Sequence, residues 1–112
     1  MEQLNYESFQ EKIMNVDTNM YQGKLPVILD FYADWCVPCK NLAPTLEELS
    51  KEYEGKVNIY KVNTEEQDEL SALFNIRSLP SVIMIPMDGK HKTHIGVLPK
   101  YKYKEMIDDI LK

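Results

Sequence analysis

The sequence predicts an α/β fold, a three-layer sandwich with a mixed central sheet flanked by helices. Three observations predict it. Segments with strand and helix periodicity alternate along the chain. One apolar run is nearly continuous, as in a parallel strand covered on both faces. The last two strand-like segments are joined through Asp88-Gly89, so the sheet closes with an antiparallel pair. The 112 residues are read as one domain, 1–112, long enough to bury a core without cross-links.

The segment from Asn5 to about Asp17 reads as an amphipathic helix with Phe9, Ile13 and Val16 on one face. Asn5 or Ser8 caps it, and Ser8 with Glu11 fits a capping box. A loop around Asn19–Lys24 ends at Pro26. Val27–Ala33 is the continuous apolar run, interrupted by Asp30. Val37–Tyr53 reads as a helix because Leu42, Leu46, Leu49 and Tyr53 recur at i, i+4, i+7 and i+11, with Gly55 as its stop. Pro44 falls inside that pattern, and a kink is expected there.

Val57–Asn63 alternates like a strand, and Glu65–Phe74 returns to helical spacing, with Asn75 as a left-handed stop. Ser81–Ile85 and Lys92–Val97 form the hairpin. A last helix from Pro99 to Leu111 carries Tyr103, Met106, Ile107, Ile110 and Leu111 on one stripe.

The net charge of -5 argues against nucleic acid as a partner, because phosphate binding needs a basic face. Lys100, Lys102 and Lys104, alternating with tyrosines, read as a solvated face. No stretch approaches the roughly 20 apolar residues of a membrane span. The first twenty residues lack the pattern of a secretory leader. The expected location is the cytoplasm, or the periplasm if the chain is the mature form of an exported protein.

The two cysteines, Cys36 and Cys39, stand where the buried strand turns into a helix. As a staple they close too short a loop, for roughly 2 kcal/mol of chain entropy. As a zinc site they lack a second pair of ligands. His91 and His94 lie three apart on a strand-like segment and are expected on opposite sides, as surface residues. A redox pair suits the position best. A cysteine at a helix start faces unpaired N–H groups and the positive end of the helix dipole, which favour thiolate. Cys36, at the outer edge, is expected to attack. Cys39, one turn in and more buried, is expected to resolve the mixed disulfide. Pro38 is tolerated in the first turn, where its missing N–H is not needed.

The segment Phe31-Tyr32-Ala33-Asp34-Trp35-Cys36-Val37-Pro38-Cys39-Lys40 resembles the active-site segment of the thioredoxin family. The similarity continues through Pro44, Lys61-Val62-Asn63, Ile76-Arg77-Ser78-Leu79-Pro80, Asp88-Gly89 and Gly96, from about residue 5 to the end. The resemblance implies the thioredoxin fold and a protein-disulfide reductase that carries no cofactor. It would act as a monomer on disulfide-containing proteins, with electrons from a separate reductase. Consistent with that, the four glycines form no dinucleotide- or phosphate-binding fingerprint.

The residues alone leave Asp30 open between a half-wet face shared with Tyr32 and a buried acid. The resemblance makes it the buried acid that exchanges a proton with Cys39, its pKa raised. It likewise implies that Lys61 approaches that acid, and that Pro80 is cis opposite the cysteines. The Leu79 backbone would then be free to pair with an extended substrate peptide. Trp35, Val37 and Pro38 would line the substrate surface, with Gly96 permitting close approach of the substrate chain.

Two departures stand out. Val37 occupies a position usually held by glycine, adding apolar surface and stiffness beside the thiol. It brings no positive charge, so a reducing or intermediate potential is expected. Pro99 replaces a polar residue at the last helix start, which puts that start in doubt. Two rivals remain: an envelope oxidase or isomerase with the same chemistry reversed, and a binding module of the same fold whose cysteines are incidental.

Overall fold

The computed structural model describes residues 1–112. In chain order its elements are β1 (Glu2–Gln3), α1 (Tyr6–Lys12), β2 (Met14–Asn15), β3 (Met20–Tyr21), β4 (Val27–Tyr32) and α2 (Val37–Glu52). They continue with β5 (Asn58–Asn63), α3 (Asp68–Leu73), β6 (Ser81–Ile85), β7 (Lys92–Ile95) and α4 (Lys100–Ile110). The main sheet has the order β1-β5-β4-β6-β7. Strand β4 runs parallel to β5 and antiparallel to β6, so the sheet is mixed.

The alternation of side chains along each strand divides the core into two layers. Val27, Leu29 and Phe31 of β4, with Val62, Ile83 and Ile85, pack against Phe9, Leu70 and Phe74 on the α1/α3 side. Ile28, with Ile59, Val82 and Met84, packs against Leu42, Leu46 and Leu49 of α2 and Tyr103 and Ile107 of α4. Each fully buried aliphatic or aromatic side chain contributes about 1.5–3 kcal/mol. By the same parity, Asp30 and Lys61 share the α2/α4 side, and they are partners in the β4–β5 register. The buried strand therefore carries its one acid directly under the start of α2.

Several expectations change at the boundaries. Helix α1 ends at Lys12 rather than near Asp17. The Asn15 side chain accepts from the N–H groups of Asp17 (3.0 Å) and Thr18 (3.2 Å), a local turn that competes with the helix. Asn19, at φ 56, then lets β3 return onto β2. The capping box is Asn5 with Ser8, not Ser8 with Glu11: Ser8 N–H donates to Asn5 Oδ1 (2.8 Å) and Asn5 N–H to Ser8 Oγ (3.0 Å). Strand β1, absent from the sequence reading, adds parallel to β5.

Other expectations hold. Asn75, at φ 53, closes α3 with a Schellman pair, Asn75 N–H to Ala72 C=O and Ile76 N–H to Ser71 C=O. Helix α4 starts at Lys100 with Pro99 as an N-cap that makes no side-chain cap bond. Lys100 and Lys104 are not merely solvated. Lys100 pairs with Glu48 (3.0 Å) and Glu52, and Lys104 with Glu52 (3.3 Å), tying α4 to α2. No helix is long and apolar enough to cross a membrane.

Candidate active site

The site lies at the end of β4, where the chain leaves the sheet through Ala33-Asp34-Trp35 and enters α2. Cys36 is the N-cap of α2, and its Sγ accepts the N–H of Cys39 at 3.2 Å. That donor belongs to the first turn, whose N–H groups have no carbonyl partner within the helix. Aimed at sulfur, it stabilises negative charge there in the reduced protein. Cys36 and Cys39 are joined as a disulfide, with Cα atoms 5.3 Å apart.

The two cysteines are equally shielded, each 4% exposed, which corrects the expectation that Cys39 is the more buried. They differ in what they face. Cys36 lines an open groove of about 690 Å³ with Trp35, Val37, Pro38 and Leu79. Cys39 lines a smaller cavity of about 130 Å³ behind the helix start, shared with Asp30, Lys61, Ala33 and Tyr32. The direction of burial, not its degree, separates the pair.

Asp30 is 1% exposed, and its Oδ1 has no hydrogen-bond partner. Desolvation raises its pKa to about 6, against an opposing pull from the Lys61 charge. The half-wet alternative fails because β4 is covered on both faces, by α2/α4 on the side that carries Asp30. Lys61 is half-buried, with Nζ 4.7 Å from the centre of the Tyr32 ring. The Tyr32 hydroxyl in turn accepts from Gln3 Nε2 at 2.6 Å. Lys61 thus reaches the acid's cavity through a cation–π seat rather than a direct ion pair.

Leu79–Pro80 is a cis peptide bond. Neither the N–H nor the C=O of Leu79 makes a backbone hydrogen bond. The Pro80 carbonyl accepts the N–H of Gly96 at 2.9 Å, which ties the two loops together. Gly96 has φ +95, a conformation that glycine tolerates and side-chain-bearing residues resist. Trp35 is 68% and Val37 63% exposed, so neither belongs to the core, and the groove's apolar rim faces solvent.

Four groove residues went unassigned in the sequence: Thr64, Ser71, Ile76 and Arg77. They come from three separate stretches of chain, and only Ile76 and Arg77 carried a signal, their closeness to Pro80. His91 sits outside this site, its ring edge-on to Phe74 at 5.1 Å. No group of three His, Cys, Asp or Glu side chains is placed to hold a metal ion.

Comparison with known proteins agrees with this geometry. The family model described as Thioredoxin matches residues 1–109. The chain is 38% identical to a thioredoxin of Borreliella burgdorferi over 109 residues, covering 95% of this chain and 93% of that protein. It is 36% identical to a thioredoxin of Haemophilus influenzae over 105 residues, covering 94% and 92% respectively. The crystal structure of chloroplastic thioredoxin z superposes with a TM-score of 0.82 at 28% identity, over 98% of this chain and 93% of that one.

Proposed function

Because the chain belongs to the thioredoxin family, it is a thiol–disulfide oxidoreductase of the protein-disulfide reductase type, and we propose a two-cysteine relay as its mechanism. Cys36 thiolate attacks one sulfur of a substrate disulfide, and the other substrate sulfur leaves as a thiolate. Cys39 gives its proton to Asp30 and attacks Cys36 Sγ, releasing the second substrate thiolate. The protein is left as the Cys36–Cys39 disulfide, and a separate reductase returns two electrons.

The observation that carries this reading is the two-sided setting of the cysteines. Cys36 opens onto the groove where a substrate docks, and Cys39 onto the cavity that holds Asp30 and Lys61. An acid with a pKa of about 6 is mostly ionised at neutral pH, ready to accept a thiol proton, and basic enough to matter. Lys61 holds that pKa down from the value that burial alone would set.

On the substrate side, Trp35, Val37, Pro38 and Leu79 form the apolar contact, whereas Pro80 is itself buried and does not line the groove. The free Leu79 backbone groups pair with an extended substrate segment, and Gly96 keeps the adjoining loop bare of side chain. The protein works in this reading as a single-domain monomer, residues 1–112, in the cytoplasm, where a dedicated reductase keeps it reduced. The test is reduction of insulin disulfides by the dithiothreitol-primed protein. The expected result is fast precipitation of insulin chains, abolished by Cys36→Ser. Activity that survives Cys36→Ser overturns the relay.

A further inference from the structure

We propose that Arg77 makes the substrate groove selective for disulfides flanked by a carboxylate side chain. The inference rests on the reading of the groove as the docking site for substrate.

Arg77 is the only arginine in the chain. It lines the same groove as Cys36, and it is the only residue of that lining with a charged side chain. The rest of the wall is apolar or carries hydroxyls, as with Thr64 and Ser71. Arg77 is exposed and takes part in none of the ion pairs of the molecule, although acids outnumber bases 18 to 13.

Its one side-chain hydrogen bond is from Nε to Asn75 Oδ1 at 3.3 Å. The acceptor is a neutral amide on a residue held at φ 53 by the helix stop of α3. The bond steadies the guanidinium without neutralising it and leaves both terminal nitrogens available. A planar guanidinium with a free edge matches a carboxylate in two parallel hydrogen bonds, which a lysine ammonium does not reproduce.

The selectivity is local and opposed to the field of the whole molecule. At a net charge of -5 the chain repels acidic partners at long range. Arg77 therefore acts after encounter, on the segment already laid along the groove, and its effect resides in KM. An exposed pair of this kind is worth about twofold to fivefold in affinity.

The test uses short disulfide-linked peptides identical except for Glu, Gln or Lys beside the attacked cysteine, with kcat/KM measured for each. The wild-type protein is expected to favour Glu over Gln by about twofold to fivefold, mainly through KM, and to disfavour Lys. Arg77→Gln should bring the Glu-to-Gln ratio to about one, and Arg77→Glu should invert the order of Glu and Lys. Lys24→Gln, which removes a charge from the loop before β4, should leave the ratio at its wild-type value. A wild-type ratio of one, a ratio unchanged in both Arg77 variants, or an equal fall in Lys24→Gln overturns the proposal. Failure of the docking reading looks different: Trp35→Ala and Val37→Glu would then leave reduction of the Gln peptide unaffected.

Discussion

Replacing Asp30 with asparagine is expected to make the oxidised protein more stable at neutral pH and less active. Burial raises the carboxyl pKa from 3.8 to about 6. At 1.36 kcal/mol for each tenfold change in proton affinity, that difference corresponds to about 3 kcal/mol. The sign follows from proton binding. Below pH 3.8 the group is protonated in the folded and unfolded chains alike and contributes nothing. Between about 4 and 6 the folded chain holds the proton that the unfolded chain has lost, so stability falls as pH rises. Above 6 the full cost is present.

Urea or thermal denaturation of wild type and Asp30→Asn across pH 3.5 to 8 measures it. The stability difference should grow in favour of the variant by up to about 3 kcal/mol between those limits, on the order of 10 °C in Tm for a domain of this size. The unpartnered Oδ1 supports this direction, since no hydrogen bond to that atom is lost. Resolution by Cys39 should slow at least tenfold, because a positioned proton acceptor is worth about 10²–10⁴ in rate. A stability difference that does not vary with pH, or a variant less stable than wild type at pH 8, refutes the burial argument.

Other outcomes follow from the same geometry. Lys61→Met removes the charge that holds the Asp30 pKa down, so the acid limb of the activity–pH profile should move to higher pH; an unmoved limb would detach Lys61 from the acid. Gly96→Ala forces a side-chain-bearing residue to φ +95 and should cost about 1–3 kcal/mol of stability by denaturant titration, although its Cβ meets no other atom within 4 Å. Equilibrated with glutathione and trapped by alkylation, the Cys36–Cys39 pair should remain mostly disulfide, as a low-potential couple does; a mostly dithiol population would favour an oxidase.

The layered fold was legible because each main element repeats a signal. The helical spacing of Leu42, Leu46 and Leu49 in α2, carried on to Tyr53 at its C-cap, and the apolar run of β4, broken only by Asp30, need no long-range information. Strand β1 was not legible, since two residues carry no period and its place depends on β5. The β2–β3 turn was hidden because the helical pattern of α1 runs on to Val16, while the Asn15 side chain captures the next N–H groups. Within the site, Cys36 and Cys39 stood out by their spacing at a strand-to-helix turn. Asp30 was marked as the buried acid only by the family resemblance, because by periodicity alone an acid in an apolar run also reads as a wet edge until both faces of β4 are seen to be covered. Thr64, Ser71 and Arg77 join the groove only through folding. The roles of the two cysteines were read from depth, whereas the fold distinguishes them by which cavity each one lines.

That division of labour is tested most directly by trapping the intermediate. Reduced Cys39→Ser and Cys36→Ser proteins would each be mixed with a disulfide substrate under non-reducing conditions and analysed by intact mass. The groove-facing position of Cys36 predicts a stable mixed disulfide with Cys39→Ser and little or none with Cys36→Ser. Accumulation through Cys39 in the Cys36→Ser protein, at the same rate or faster, would contradict the assignment.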